Sequence, residues 1–137
     1  MLGLIAVQLH GHEDAAYVRA LARRLPSGCE IWKAIQVGRF VPATFDAADR
    51  LLFDSDPGGT GRSFDWTLVR GHPDLKGALI AGGIGPHNAR AARALGAYAI
   101  DVGSSLDERA GRKSPRKMKA FFESLRPPSR RRLAACA

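Results

Sequence analysis

The sequence predicts an α/β fold in which about five parallel strands alternate with helices. Three observations carry this. Short apolar runs recur along the chain, and each is followed by a stretch with helical spacing, the pattern of β/α units. The runs are near-continuous in apolar character, as in parallel strands covered on both faces. Polar and glycine-rich residues fall directly after the runs, at the strand ends where parallel α/β barrels carry their chemistry.

The first run is Leu4 to Leu9, ending in Gln8-Leu9-His10-Gly11. A helix over about 14–25 follows, with Ala15, Val18, Leu21, Ala22 and Leu25 on one face. Asp14 suits its N-cap, and Pro26 and Gly28 stop it. The second run is Glu30 to Val37, and a short helix is expected from Pro42 to Ala48. The third run, Arg50 to Phe53, ends at Asp54 and leads into the glycine-rich stretch Pro57-Gly58-Gly59-Thr60-Gly61. Asp65 reads as the N-cap of a short helix through Trp66, Leu68 and Val69. The fourth run, Ala78 to Ala81, ends in Gly82-Gly83. The helix after it is expected from Pro86 to Leu95, with Pro86 in the first turn and Gly96 past the end. The fifth run, Tyr98 to Val102, ends in Gly103-Ser104-Ser105. The last helix is expected from Pro115 to Leu125, capped by Ser114, with Met118, Phe121, Phe122 and Leu125 facing inward and Pro127 and Pro128 ending it.

Composition sets the class. A chain of 137 residues with 45% hydrophobic and 25% charged residues has the make-up of a soluble globular domain able to bury a core. No apolar run approaches the ~18 residues of a membrane span. The apolar start lacks a basic leader region, so a signal peptide is not expected. Cys29 and Cys136 form no CxxC and no metal spacing, which fits a reducing, cytoplasmic setting. The net charge of +8 is concentrated at one end. From Arg109 onward ten Lys or Arg face one acid, Glu123, while the rest is close to neutral. The organisation expected is therefore a folded unit over 1–125 and a basic, proline-broken tail over 126–137. Nucleic-acid binding through that tail is disfavoured, because no aromatic interleaving or recognised binding module accompanies it.

The chemistry-bearing residues after the runs are His10, Lys33, Asp54, Gly82-Gly83, Asp101 and Gly103-Ser104-Ser105. Gly82-Gly83-Ile84-Gly85 between a strand and a helix lets the backbone approach a ligand closely and offers N–H groups to an anion. Gly103-Ser104-Ser105 adds further donors, and phosphate sites built from two successive loops recur in barrels. The same turns also occur with no ligand. Asp54 at a strand mouth beside a glycine loop is placed for general acid–base work, or for a turn or cap. His10 and His12 lack a third ligand signal, so a metal is not expected.

Longer stretches go beyond pattern. Val7-Gln8-Leu9-His10-Gly11 and Ile31-Trp32-Lys33-Ala34-Ile35 resemble the fourth and fifth strands of the phosphoribosylanthranilate isomerases. Leu52-Phe53-Asp54-Ser55 with Gly58-Gly59-Thr60-Gly61-Arg62-Ser63-Phe64-Asp65-Trp66 resembles that family's loop after strand six. Ala81-Gly82-Gly83-Ile84-Gly85-Pro86-His87-Asn88 resembles the seventh strand and its phosphate loop, and Asp101-Val102-Gly103-Ser104-Ser105-Leu106-Asp107 the eighth. The likeness runs from about Leu2 to Leu125.

The resemblance implies a partial (β/α)8 barrel and an Amadori rearrangement of N-(5-phosphoribosyl)anthranilate in tryptophan biosynthesis, without metal or organic cofactor. It implies that Asp54 is the general acid, and that Gly82, Gly83, Gly103 and Ser104 cradle phosphate, with Asp101 and His10 lining the pocket. It also implies a C-terminal piece, strands four to eight, because the family's Lys-Ile-Cys-Gly motif, with its cysteine base, does not occur here. Cys29 precedes its strand and Cys136 lies in the tail. The expectation is thus a chain inactive alone, whose open edges pair with a second copy or with an N-terminal barrel partner. The alternatives are a non-catalytic phosphate-binding fragment of a truncated gene, and a nucleic-acid-associated protein using its basic tail.

Overall fold

The computed structural model describes residues 3–38, 41, 45–55 and 62–126. Five parallel strands form one sheet in the order β1-β2-β3-β4-β5. They are β1 (Ala6–Leu9), β2 (Glu30–Val37), β3 (Arg50–Ser55), β4 (Leu79–Ile80) and β5 (Ala99–Ile100). Strand order equals chain order, as successive right-handed β/α units produce. The sheet is part of a (β/α) barrel architecture. The ladder continues past the two short strands: Ala81 N–H donates to Phe53 O (2.8 Å), Tyr98 N–H to Ala78 O (2.9 Å) and Asp101 N–H to Ile80 O (2.8 Å). The longer apolar runs therefore do pair.

The register explains the pattern. Ala34, Leu52 and Leu79 are neighbours across β2, β3 and β4 and form one apolar layer with Ala81. The alternate residues Leu51, Phe53 and Ile80 face the other way, packing with Val69, Ala89, Ala92 and Phe121. Leu51, Leu52 and Phe53 are all buried in succession, so the middle strand is apolar on both faces. Each such side chain contributes about 1.5–3 kcal/mol.

Helix α1 (Ala15–Ala22) starts where Asp14 accepts the Tyr17 N–H. Helix α3 (Pro115–Leu125) starts at the Ser114 cap with Pro115 in its first turn. Both caps match expectation. Helix α2 (Ala89–Ala94) is shorter than the expected 86–95. Asn88 is the reason: its side chain accepts the Gly85 N–H (2.8 Å) and donates to Gly83 O (3.1 Å). That local bonding holds residues 83–88 as a turn and delays the helix. Gly96 at φ +80 closes α2.

Other expectations need correction. On α3, Phe121 is buried and Leu125 packs on the core, but Met118 and Phe122 are exposed. The helix carries a wider apolar stripe than the surface it rests on, and Phe122, more than half exposed, stands edge-to-face with Phe121 (5.5 Å between centroids). No helix forms over 45–48, of which 46–48 are turn and bend; the rest of the expected helix from Pro42 lies outside the described residues. Trp66–Leu68 is a single 3₁₀ turn capped by Asp65. A small antiparallel hairpin, β6 (Asp107–Arg109) and β7 (Arg112–Lys113), precedes α3. Its strands are charged and two or three residues long, so no apolar alternation announces them. The loop Pro57–Gly61 and residues 127–137 lie outside the described residues.

Candidate active site

The carboxyl ends of β3, β4 and β5 meet at one cavity of about 210 Å³. Asp54 and Ser55 line it from the end of β3, and Gly82 and Gly83 from the turn after β4. Asp101, Gly103 and Ser104 line it from beyond β5. The strands are parallel and adjacent, so residues just past each one arrive on the same rim. Asp54 follows Leu52 by two and so shares its face of the sheet. One Asp54 carboxylate oxygen accepts the Ser55 N–H at 2.7 Å.

The glycine turn is shaped by its neighbours. Gly82 has φ +80, and a Cβ there would stand 2.8 Å from Ser55 N and 2.9 Å from Ser55 Cβ. Only glycine lets this turn close onto β3. The two turns are tied together, because the Ser105 hydroxyl donates to Ile84 O. Asn88 closes the first turn from below, as described. This role of Asn88 is absent from the sequence expectations above; an Asx side chain just after a Gly-rich turn is the signal for it. The Gly85 N–H is taken by Asn88, so the anion donors expected of that turn are fewer than its length suggests.

The second turn is held by the hairpin. Lys113 Nζ donates to Gly103 O at 2.8 Å and pairs with Asp107 at 2.6 Å. Lys117 Nζ donates to Asp107 O at 2.6 Å. Hydrogen bonding to Lys113, foremost, holds the Asp107 carboxyl below its ordinary pKa.

His10 does not join this cavity. It lines a second one of about 380 Å³, with Lys33, Gln36 and Phe45. The sheet order explains this, since β2 separates β1 from β3. The Gln8 amide donates to the His10 ring. Buried Lys33 donates to Gly11 O (2.6 Å) and to Glu13 (2.8 Å), which fixes the loop after β1. That bond, first of all, lowers the Glu13 pKa. Gln36, which lines the second cavity, and Asp54, which lines the first, are register partners across β2 and β3.

A parallel β/α sheet with a carboxylate and two glycine turns sharing one rim defines an α/β-barrel protein with its chemistry at the carboxyl ends. Comparisons with known proteins make this particular. The sequence profile of N-(5'-phosphoribosyl)anthranilate (PRA) isomerase matches residues 1–124. The tryptophan biosynthesis protein TrpCF of Yersinia pestis is 43% identical over 126 residues, covering 91% of this chain and 26% of that protein. TrpCF of Salmonella typhi is 41% identical, covering 92% and 28%. The phosphoribosyl anthranilate isomerase of Thermus thermophilus superimposes with a TM-score of 0.75 at 29% identity, covering 88% of this chain and 60% of that one. A phosphoribosyl anthranilate isomerase in complex with reduced 1-(o-carboxyphenylamino)-1-deoxyribulose 5-phosphate gives 0.70 at 27%, covering 88% and 59%. The chain belongs to the phosphoribosylanthranilate isomerase family.

The match over 1–124 of 137 residues also corrects an expectation. It takes in nearly the whole chain, and so overturns the reading of a mere C-terminal piece lacking its base. The expectation of a chain inactive alone, and the alternative of a non-catalytic fragment, rested on that reading and fall with it. The chain spans about 60% of the Thermus thermophilus isomerase and about a quarter of the curated TrpCF proteins. Among the described residues no helix is long and apolar enough to cross a membrane.

Proposed function

We propose that this chain serves the isomerisation of N-(5-phosphoribosyl)anthranilate to 1-(2-carboxyphenylamino)-1-deoxyribulose 5-phosphate. The observation that carries the reading is the single cavity lined by both Asp54 and the turns at Gly82 and Gly103. Asp54 is the general acid. It protonates the ribose ring oxygen, the C1–O bond opens, and the nitrogen lone pair forms an iminium at C1. A general base takes the C2 proton to give the enolamine, which becomes the ketone as C1 takes up a proton and the C2 hydroxyl releases one. Gly82, Gly83, Gly103 and Ser104 hold the phosphate, with Asp101 beside them. His10 lines the second, wider cavity toward which the anthranilate extends. The ring oxygen lies between phosphate and anthranilate in the substrate, and Asp54 lines the first cavity beside Gln36, its register partner, which lines the second. No cofactor enters this scheme. The test is consumption of N-(5-phosphoribosyl)anthranilate by the purified chain and by Asp54→Asn. Equal turnover by both would remove Asp54 from the chemistry.

The same proposal places the folded unit over 1–125, supported by α3 ending at Leu125, and the chain in the cytoplasm, supported by the free thiol of Cys29. It also includes self-association. Among the described residues β1 and β5 each pair with one strand, and Leu4, Ile5 and Tyr98 beside them are exposed. Open edges with apolar flanks favour strand pairing between copies. The expected result is a mass above one chain in size-exclusion chromatography with light scattering. A single-chain mass across the micromolar range would refute it.

A further inference from the structure

We propose that Lys113 is a positioning residue for the phosphate end of the cavity. The inference rests on the phosphate reading of the Gly82 and Gly103 turns and goes beyond it, to a side chain ten residues along the sequence. Lys113 Nζ donates to Gly103 O at 2.8 Å, and that same carbonyl accepts the Leu106 N–H at 3.2 Å. The peptide joining Gly103 to Ser104 is planar and trans, so its N–H points opposite to its C=O. Holding the carbonyl toward Lys113 and Leu106 therefore fixes the direction of the Ser104 N–H, on a residue that lines the cavity.

Charge points the same way. The described residues lining the cavity include two carboxylates, Asp54 and Asp101, and no Lys or Arg. A phosphate dianion there needs a cation nearby. Asp107 neutralises one charge, but both Lys113 and Lys117 bond to it, one at the carboxylate and one at the carbonyl. One net positive charge is left against the Gly103 turn. The hairpin between Asp107 and Lys113 thus delivers a cation to the back of the turn while its backbone faces the cavity.

Inorganic phosphate titrated into the full chain by calorimetry tests this, with Lys113→Met, Lys113→Arg and Lys113→Gln compared. Lys113→Met is expected to bind phosphate about fivefold to tenfold more weakly, with an unfolding midpoint lowered slightly by loss of the Asp107 pair and still folded at the titration temperature. Lys113→Arg, which keeps both the donor and the charge, is expected to restore affinity to within about twofold. If Lys113→Met fails to fold, the Arg and Gln variants carry the comparison, with only Arg retaining affinity. Wild-type binding matched by Lys113→Met, or by Lys113→Gln, overturns the role of Lys113 and leaves the phosphate cavity standing. No phosphate binding by the wild-type chain overturns the cavity reading itself, and the Lys113 role with it.

Discussion

At the amino ends of β2 and β3, Glu30 accepts from the Trp32 indole (2.7 Å) and from two nitrogens of Arg50 (2.9 and 3.0 Å). Arg50 also donates to Gly77 O (3.0 Å) and stacks 3.7 Å over the Tyr98 ring, while Asp49 accepts the Ile31 N–H at 2.7 Å. At the carboxyl ends of the same sheet, Asp54 and Asp101 line a cavity, and the turns beside them are built from glycine and serine. Polar groups at the first end are satisfied by one another. A cavity of about 260 Å³ lies at the first end too, beside Asp49 and Arg50, but those side chains are bonded to the Ile31 N–H, Glu30 and Gly77 O, whereas at the second Asp54, Asp101 and two glycine turns surround the space. A charge cluster that saturates itself can stabilise a fold but has nothing left for a ligand, whereas carboxylates and N–H groups around a cavity have. The comparison teaches that polarity alone does not mark the site; what matters is whether partners are internal.

The sharpest way to break this comparison is Asp54→Asn. If the carboxyl-end carboxylate does chemistry, turnover of N-(5-phosphoribosyl)anthranilate is expected to fall by about 10²–10⁴, with the unfolding midpoint little changed and phosphate affinity not weakened. The reciprocal outcome, a stability loss with activity intact, would make Asp54 another internally satisfied group like Glu30.

Gly82→Ala should come next in size. The new side chain would occupy a left-handed conformation, which costs about 1–2 kcal/mol, and its Cβ would press on the Ser55 backbone at 2.8 Å, adding about 1–3 kcal/mol of overpacking. Thermal unfolding is expected to show the sum, and phosphate titration a weakened site, because relief can come only by moving the turn away from β3. Wild-type stability in this variant would mean that the turn does not close on Ser55 as described.

Much of this was legible in the residues, for reasons that differ by level. Glu30–Val37 was readable to its last residue because an apolar strand flanked by turn residues leaves little choice of register. Ser114 and Asp14 were readable as caps because their side chains bond within their own turn. The common rim of Asp54, Gly82 and Gly103 followed from strand parallelism, which puts every strand end on the same side. What escaped depends on contacts distant in sequence. His10 and Asp54 belong to different cavities because β2 stands between them. The hairpin at Asp107–Lys113 has no periodicity, and the bond from Lys113 to Gly103 spans ten residues. Phe122 looked inward because helical spacing identifies a stripe and not the width of the surface beneath it. The resemblance erred on extent: the absent Lys-Ile-Cys-Gly motif suggested strands four to eight alone, whereas the family profile takes in residues 1–124.

Glu30→Gln should give the smallest effect, and it tests the amino end directly. Arg50 foremost, then Trp32, lower the Glu30 pKa through their hydrogen bonds. A carboxyl whose native pKa lies below its unfolded value stabilises the fold above the unfolded value, and that contribution is lost as pH falls through the native one. The variant keeps an acceptor for both donors but loses the charge, and the partly exposed pair is screened by solvent. Its unfolding midpoint is therefore expected to lie slightly below wild type at neutral pH, with the gap closing as pH is lowered through the carboxylate range. Phosphate affinity should not change. A gap that widens in acid would reverse the sign assigned to the Glu30–Arg50 pair. A loss of phosphate binding would show that the two ends of the sheet are coupled, and that the amino-end cluster serves the cavity as well as the fold.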